Sequence, residues 1–186
     1  MTSPFILTLV RHGEAAASWD TATDPGLSQT GQTQADALRE RLRGAPSRRV
    51  LASPLRRAQE TAAPLAAAWQ KTVLVEHAVR ELPSTGVPMA TRREWLKGVA
   101  HATWPAVDAP LRAWRDEAWM ALCGLAGDTV VFTHFMLINA IVSRALGDDR
   151  TVCFEPDYCS VTTLERTADG FRVLELGATR ETLVLL

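Results

Sequence analysis

The sequence is poor in cysteine and lysine, carries no excess charge of one sign, and has no long apolar run. Its 186 residues include three cysteines, Cys123, Cys153 and Cys159. They form no CxxC and no Cys/His zinc spacing, and they read as reduced thiols of a cytoplasmic protein. Net charge is −1, from 20 basic and 21 acidic residues. That gives no global attraction for nucleic acid or an anionic membrane. The longest apolar run, 135–142, is interrupted by Asn139 and falls short of the ~18 residues that span a bilayer. The N-terminus lacks the basic start of a signal peptide. At 47% hydrophobic and 22% charged, the composition lies outside the disordered regime. Residues 1–186 read as a single domain. Lysine is confined to Lys71 and Lys97, so the positive charge is nearly all arginine, the better bidentate reader of phosphate and carboxylate.

The apolar stretch 5–10 (FILTLV) predicts a strand buried on both faces, as in a parallel sheet covered by helices. Ser28 is a candidate N-cap for a helix to about Arg43, ended by Gly44 and Pro46. Further strands are expected at 49–52, 72–75 and 129–132. A helix is expected to start at Ser53-Pro54, with Ser as N-cap and Pro at the first position, and to kink or divide at Pro64. Residues 82–110 show a weak pattern punctuated by four prolines. Helices are expected at 111–125 and 135–146. Residues 160–164 and 171–176, joined by Asp169-Gly170, read as a hairpin near a sheet edge. Strands alternating with helices predict a three-layer α/β/α sandwich around a mostly parallel sheet.

In such sheets functional groups gather beyond the carboxyl ends of the strands. Arg11-His12, Ser53-Pro54-Leu55-Arg56 and Thr133-His134 all fall there. Two guanidinium forks and two imidazoles suit a phosphate dianion, and a helix start adds unpaired N–H groups. Arg56 is expected in the first turn of its helix, and Arg57 is read as a solvated helix-face charge. Neither His has metal-ligand spacing. A neutral His beside a phosphate can attack phosphorus and form phosphohistidine. The leaving alkoxide then needs an acid; Glu14, Asp20, Asp24 and Glu81 are candidates.

Arg11-His12-Gly13-Glu14 resembles the Arg-His-Gly-Glu signature of the histidine phosphatase superfamily, which includes the cofactor-dependent phosphoglycerate mutases. Residues 27–35 (LSQTGQTQA) are similar to the family's Leu-Thr-x-x-Gly-x-x-Gln-Ala helix start. Residues 53–62 (SPLRRAQETA) resemble its Ser-x-x-x-Arg-Ala-x-x-Thr-Ala helix. Arg80-Glu81-Leu82 resembles its acid-bearing segment, and residues 131–134 (VFTH) its second-histidine strand end. The resemblance implies His12 as the phosphorylated nucleophile. Arg11, Arg56 and His134 would hold the phosphoryl group, and Glu81 would act as general acid and then base. It implies no metal or organic cofactor, and a small phosphorylated substrate.

The chain departs from the family pattern at Ala15, where Thr or Ser is common, and at Phe135, where Gly is usual. Residues 16–20 replace the usual Trp/Tyr-Asn arrangement, leaving Ser18 and Asp20 as further candidates for substrate contact. Arg92 and Arg93, in the irregular segment after Glu81, are candidates to meet a second anionic group. That segment is also a candidate cover for the mouth of the site. It is shorter than the mutase branch's insertion, which favours hydrolysis over transfer. The expected activity is metal-independent hydrolysis of a phosphomonoester through phosphohistidine at His12. The rival readings are a protein phosphohistidine phosphatase, a phosphoglycerate mutase-type transferase, and a catalytically silent phosphate-binding module.

Overall fold

A computed structural model describes residues 4–18, 22–46 and 48–179. Its elements are β1 (Ile6–Arg11), α1 (Gln29–Leu42), β2 (Arg49–Ala52), α2 (Arg56–Ala68), β3 (Val73–Val75), α3 (Arg92–Ala100), α4 (Ala109–Cys123), β4 (Thr129–Thr133), α5 (Phe135–Leu146), β5 (Val161–Thr167) and β6 (Gly170–Glu175). Short 3-10 turns lie between β3 and α3. The six strands form one sheet in the order β3-β2-β4-β1-β5-β6. β3, β2, β4 and β1 run parallel, β5 is antiparallel to β1, and β6 turns back antiparallel to β5.

Strand alternation divides the core in two. Leu7 and Leu9 of β1, Leu51 of β2 and Val131 of β4 point to one face, where they meet side chains of α4, α5 and the end of α3. Val10, Val50, Ala52, Val130 and Phe132 point to the other, against Leu38 of α1 and Ala58, Ala62 and Leu65 of α2. Helices therefore cover both faces, and the fold is a three-layer α/β/α sandwich. The continuous apolar run of β1 is explained by burial on both sides. α5 is buried throughout residues 135–143, which is why its sequence shows no polar face. It ends at Gly147, whose φ of 67° is the left-handed conformation that closes a helix.

Ser28 caps α1 as expected, its hydroxyl accepting from the Gly31 N–H at 3.0 Å. α2 departs from expectation. It begins at Arg56 with Leu55 at the cap position, so neither Ser53 nor Pro54 belongs to it. Its N-terminus is instead capped from another loop: the Arg56 N–H donates to Asp24 Oδ1 at 2.9 Å. α2 also runs unbroken through Pro64. Pro64 is half-exposed, so solvent can serve the Glu60 carbonyl that its ring deprives of a partner. Within the weakly patterned stretch 82–110, the structure contains α3. Among the described residues no helix is long and apolar enough to cross a membrane.

Candidate active site

β1 and β4 are neighbours, yet α1 leaves β1 on one face of the sheet and α5 leaves β4 on the other. Adjacent strands whose connections diverge in this way open a crevice at their carboxyl ends. Arg11 pairs with Thr133 in the parallel register, and the His12 N–H donates to the Thr133 carbonyl at 2.9 Å. The two histidines that follow these strands are thus brought together, with ring centroids 5.1 Å apart.

The loop carrying His12 is held from two sides. The Gly13 N–H donates to Thr61 Oγ1 at 3.0 Å, and that hydroxyl donates to the Arg57 carbonyl at 2.6 Å. On the other side, the loop packs directly on the first turn of α1. A Cβ on Gly31 would stand 2.1 Å from the Glu14 carbonyl oxygen, and one on Gly13 would stand 2.8 Å from the Gly31 oxygen. Both positions therefore require glycine. Glu14 accepts from the Ser28 hydroxyl at 2.6 Å, so its carboxylate braces the loop.

His12 Nδ1 lies 2.6 Å from the Gly13 carbonyl oxygen. A carbonyl can only accept, so Nδ1 carries the proton and Nε2 presents its lone pair. Arg57 Nε donates to that lone pair at 3.1 Å. Arg57 Nη2 donates to His134 Nδ1 at 3.2 Å, so the His134 proton sits on Nε2 and is donated to Ser53 Oγ at 2.7 Å. Burial, followed by the charges of Arg57 and Arg11, holds the His12 pKa well below 6.5. Burial, Arg57, His12 and Arg11 do the same for His134. Both rings are neutral at pH 7.

Glu81 completes the group, with Oε2 3.6 Å from His134 Nδ1 and 4.0 Å from Arg57 Nη2. Its other oxygen accepts from the Leu82 N–H at 2.9 Å. Burial raises its pKa, outweighing Arg57 and the Leu82 N–H, which lower it. The Thr133 hydroxyl donates to the Val79 carbonyl at 2.8 Å and ties this segment to the end of β4. Arg11 stacks between two rings, its guanidinium carbon 4.1 Å from the Tyr158 centroid and 5.3 Å from that of Phe135. Its Nη1 donates to the Pro156 carbonyl at 2.8 Å.

These groups open into a cavity of about 410 Å³ that Arg11, His12, Arg57, Glu81 and Ser18 help to line. Arg56 is not among its walls. Its side chain is 64% exposed and pairs with Glu60 at 3.0 Å, whereas Arg57 is buried. The expectation is therefore corrected: Arg57 is the arginine of the site and Arg56 the solvated one. Successive helical residues point about 100° apart, so only one of the pair can face the crevice. The signal was in the sequence, since the family's Arg-Ala pair falls on Arg57-Ala58. Arg92 and Arg93 do not line the cavity either; α3 contributes Leu96 there instead. Asp24 serves the start of α2, and Asp20 lies outside the described residues. The sequence reading missed Tyr158, which lies on the loop before β5 with no motif around it. That loop is anchored by Asn139 of α5, whose Oδ1 accepts from the Cys153 and Phe154 N–H groups at 2.9 and 3.1 Å. Among the described residues no cluster of three or more His, Cys, Asp or Glu side chains is placed to hold a metal ion.

Paired neutral histidines, two buried arginines and a carboxyl group with a raised pKa stand together at the switch point of an α/β sheet, a set of groups chemically suited to a phosphate dianion. The sequence pattern of the histidine phosphatase superfamily (branch 1) matches residues 7–179, and the chain belongs to that family. It is 26% identical to a 2,3-bisphosphoglycerate-dependent phosphoglycerate mutase of Thermoplasma acidophilum, with 93% of this chain and 92% of the relative covered. Its fold is similar to that of a mycobacterial glucosyl-3-phosphoglycerate phosphatase solved with vanadate (TM-score 0.74, 23% identity, 94% of this chain and 100% of that one). It is also similar to the phosphoserine phosphatase of Entamoeba histolytica solved with 3-phosphoglyceric acid (TM-score 0.72, 19% identity, 95% and 98% covered).

Proposed function

We propose that this protein hydrolyses a small phosphomonoester by way of a phosphohistidine at His12. The observation that carries this reading is the tautomer of His12: with Nδ1–H bonded to the Gly13 carbonyl, the Nε2 lone pair faces the cavity beside Arg57 and needs no base to activate it. A bound phosphoryl group would take the N–H donors of Arg57 and Arg11, which frees that lone pair for attack. Nε2 then bonds to phosphorus as the ester P–O bond breaks. The departing alkoxide takes the proton of Glu81, whose raised pKa suits an acid. In the second half, water attacks phosphorus, Glu81 accepts its proton, and the P–N bond breaks to restore His12. Arg57 and Arg11 stabilise the charge on the phosphoryl oxygens throughout, and His134, whose one N–H goes to Ser53, orients Arg57 through Nδ1.

The mutase relative supports a second reading, in which the phosphohistidine passes its phosphoryl group to another hydroxyl instead of water. The three free thiols suit a reducing cytoplasm. Release of nitrophenol from para-nitrophenyl phosphate in excess EDTA, by wild type and by His12→Ala, tests the first reading. We expect turnover that survives EDTA and vanishes in the variant. Full activity in the variant overturns it.

A further inference from the structure

We propose that the site selects phosphomonoesters whose alcohol portion is apolar and uncharged, and disfavours phosphoglycerate-like esters; this rests on the hydrolytic reading above. The cavity divides by chemistry. Among the described residues, the only cations on its wall are Arg11 and Arg57, and both sit at the phosphoryl end. Arg57 bonds His12 and His134, and Arg11 is fixed by Pro156 and two aromatic rings.

Apart from Ser18 and the polar and charged groups of that end, the wall is apolar or aromatic: Pro25, Leu82, Leu96 and Met136, with Phe135 and Tyr158, which also flank Arg11. They come from five separate parts of the fold, yet none contributes a charge. Leu82, Phe135 and Met136 are almost wholly buried, so this surface is part of the packed core opened to the cavity. The two positions that could have brought positive charge, Arg92 and Arg93, stand at the start of α3 while its next turn presents Leu96.

Phosphoglycerate carries a carboxylate beside its phosphate. Placed against this wall, the carboxylate would lose its water and meet no further cation, which is costly. An alkyl or aryl group in the same place gains from burial. At about 0.8 kcal/mol per buried methylene, the gain is roughly three- to fourfold per methylene until the chain leaves the cavity.

A series of n-alkyl phosphates from ethyl to octyl isolates the effect, because their leaving groups differ little in acidity. We expect kcat/KM to climb with chain length, and octyl phosphate to exceed 3-phosphoglycerate by at least about tenfold. Leu96→Ser should lower the octyl-to-ethyl ratio several-fold. A flat series, or 3-phosphoglycerate preferred to octyl phosphate, overturns the inference. Calorimetric binding of methyl- to octylphosphonate reads the wall without turnover. Affinity should rise with chain length and with an increasingly negative heat-capacity change. If the phosphonates show that rise while no ester turns over, hydrolysis fails and the apolar selectivity stands. If esters turn over with no gain from chain length in either assay, hydrolysis stands and the selectivity fails.

Discussion

Replacing Arg57 with Ala, beside the same change at Arg56, tests how α2 presents its first turn. Arg57 is buried and donates to both His12 and His134 at 3.1 and 3.2 Å. Loss of a single preorganised donor to a developing anion costs about 10²–10³ in kcat. Arg57 supplies two such N–H groups and a full charge, so Arg57→Ala should lower kcat/KM for para-nitrophenyl phosphate by at least about 10³. Arg56 makes an exposed i,i+4 pair with Glu60, worth about 0.3–0.5 kcal/mol to stability. Glu60 keeps its other partner, the Leu27 N–H at 2.6 Å, and the Arg56 N–H that Asp24 caps survives the substitution. Arg56→Ala should therefore stay within about twofold of wild type, the scale of one exposed pair. Circular dichroism would check that both variants fold. NMR titration adds a second readout. Arg57 is the largest charge depressing His12 after burial itself, so the His12 pKa should rise in Arg57→Ala and remain where it was in Arg56→Ala. Equal losses in the two variants, or a larger loss at Arg56, would refute the assignment.

Glu81→Gln should slow alkyl esters far more than para-nitrophenyl phosphate, whose leaving group needs little protonation; a uniform loss across both would argue against an acid role. In wild type, kcat/KM for alkyl esters should fall as pH rises through the raised Glu81 pKa, since the acid form is required. Folding stability should also depend on pH. The histidines, depressed below 6.5 in the fold, bind more protons when unfolded, so their contribution is complete above pH 6.5 and is lost as pH falls, by up to about 1.4 kcal/mol per pH unit each. Glu81, raised above 4.5, acts in the opposite sense: its contribution is present at low pH and is lost as pH rises through its folded value. Urea unfolding at pH 7, 6 and 5 should show a net decline towards acid, reduced in His134→Asn. Thr61→Val leaves the Gly13 N–H without its acceptor and should cost about 1–3 kcal/mol in urea unfolding, with a fall in kcat as the His12 loop loosens. Gly31→Ala forces a Cβ against the Glu14 carbonyl and should destabilise by about 1–3 kcal/mol; an unchanged midpoint would contradict the close approach.

Local pattern by itself determined much of this protein. The apolar run of β1, the Ser28 cap of α1, the largely apolar α5 and the hairpin turn ahead of Gly170 all express preferences that act over a few residues, and each stands within a residue of where its sequence places it. The same patterns put His12 and His134 at strand ends, and the parallel order then makes them neighbours. Tertiary structure decided the rest. Local pattern does not separate Arg56 from Arg57, which only the family's Arg-Ala pair marks; which of them enters the crevice depends physically on the rotation of α2, set by its start after Leu55 and by Asp24 reaching in from another loop. Pro64 stays within the helix because its position on α2 leaves it half-exposed, a fact about packing rather than about proline. Tyr158 and Leu96 reach the cavity from loop and helix segments whose sequences carry no periodic signal, because their positions come from contacts made far away in the chain. The protonation of His12, His134 and Glu81 is likewise set by burial and by each other's charge, which exist only once β1, α2, β4 and the segment after β3 are brought together.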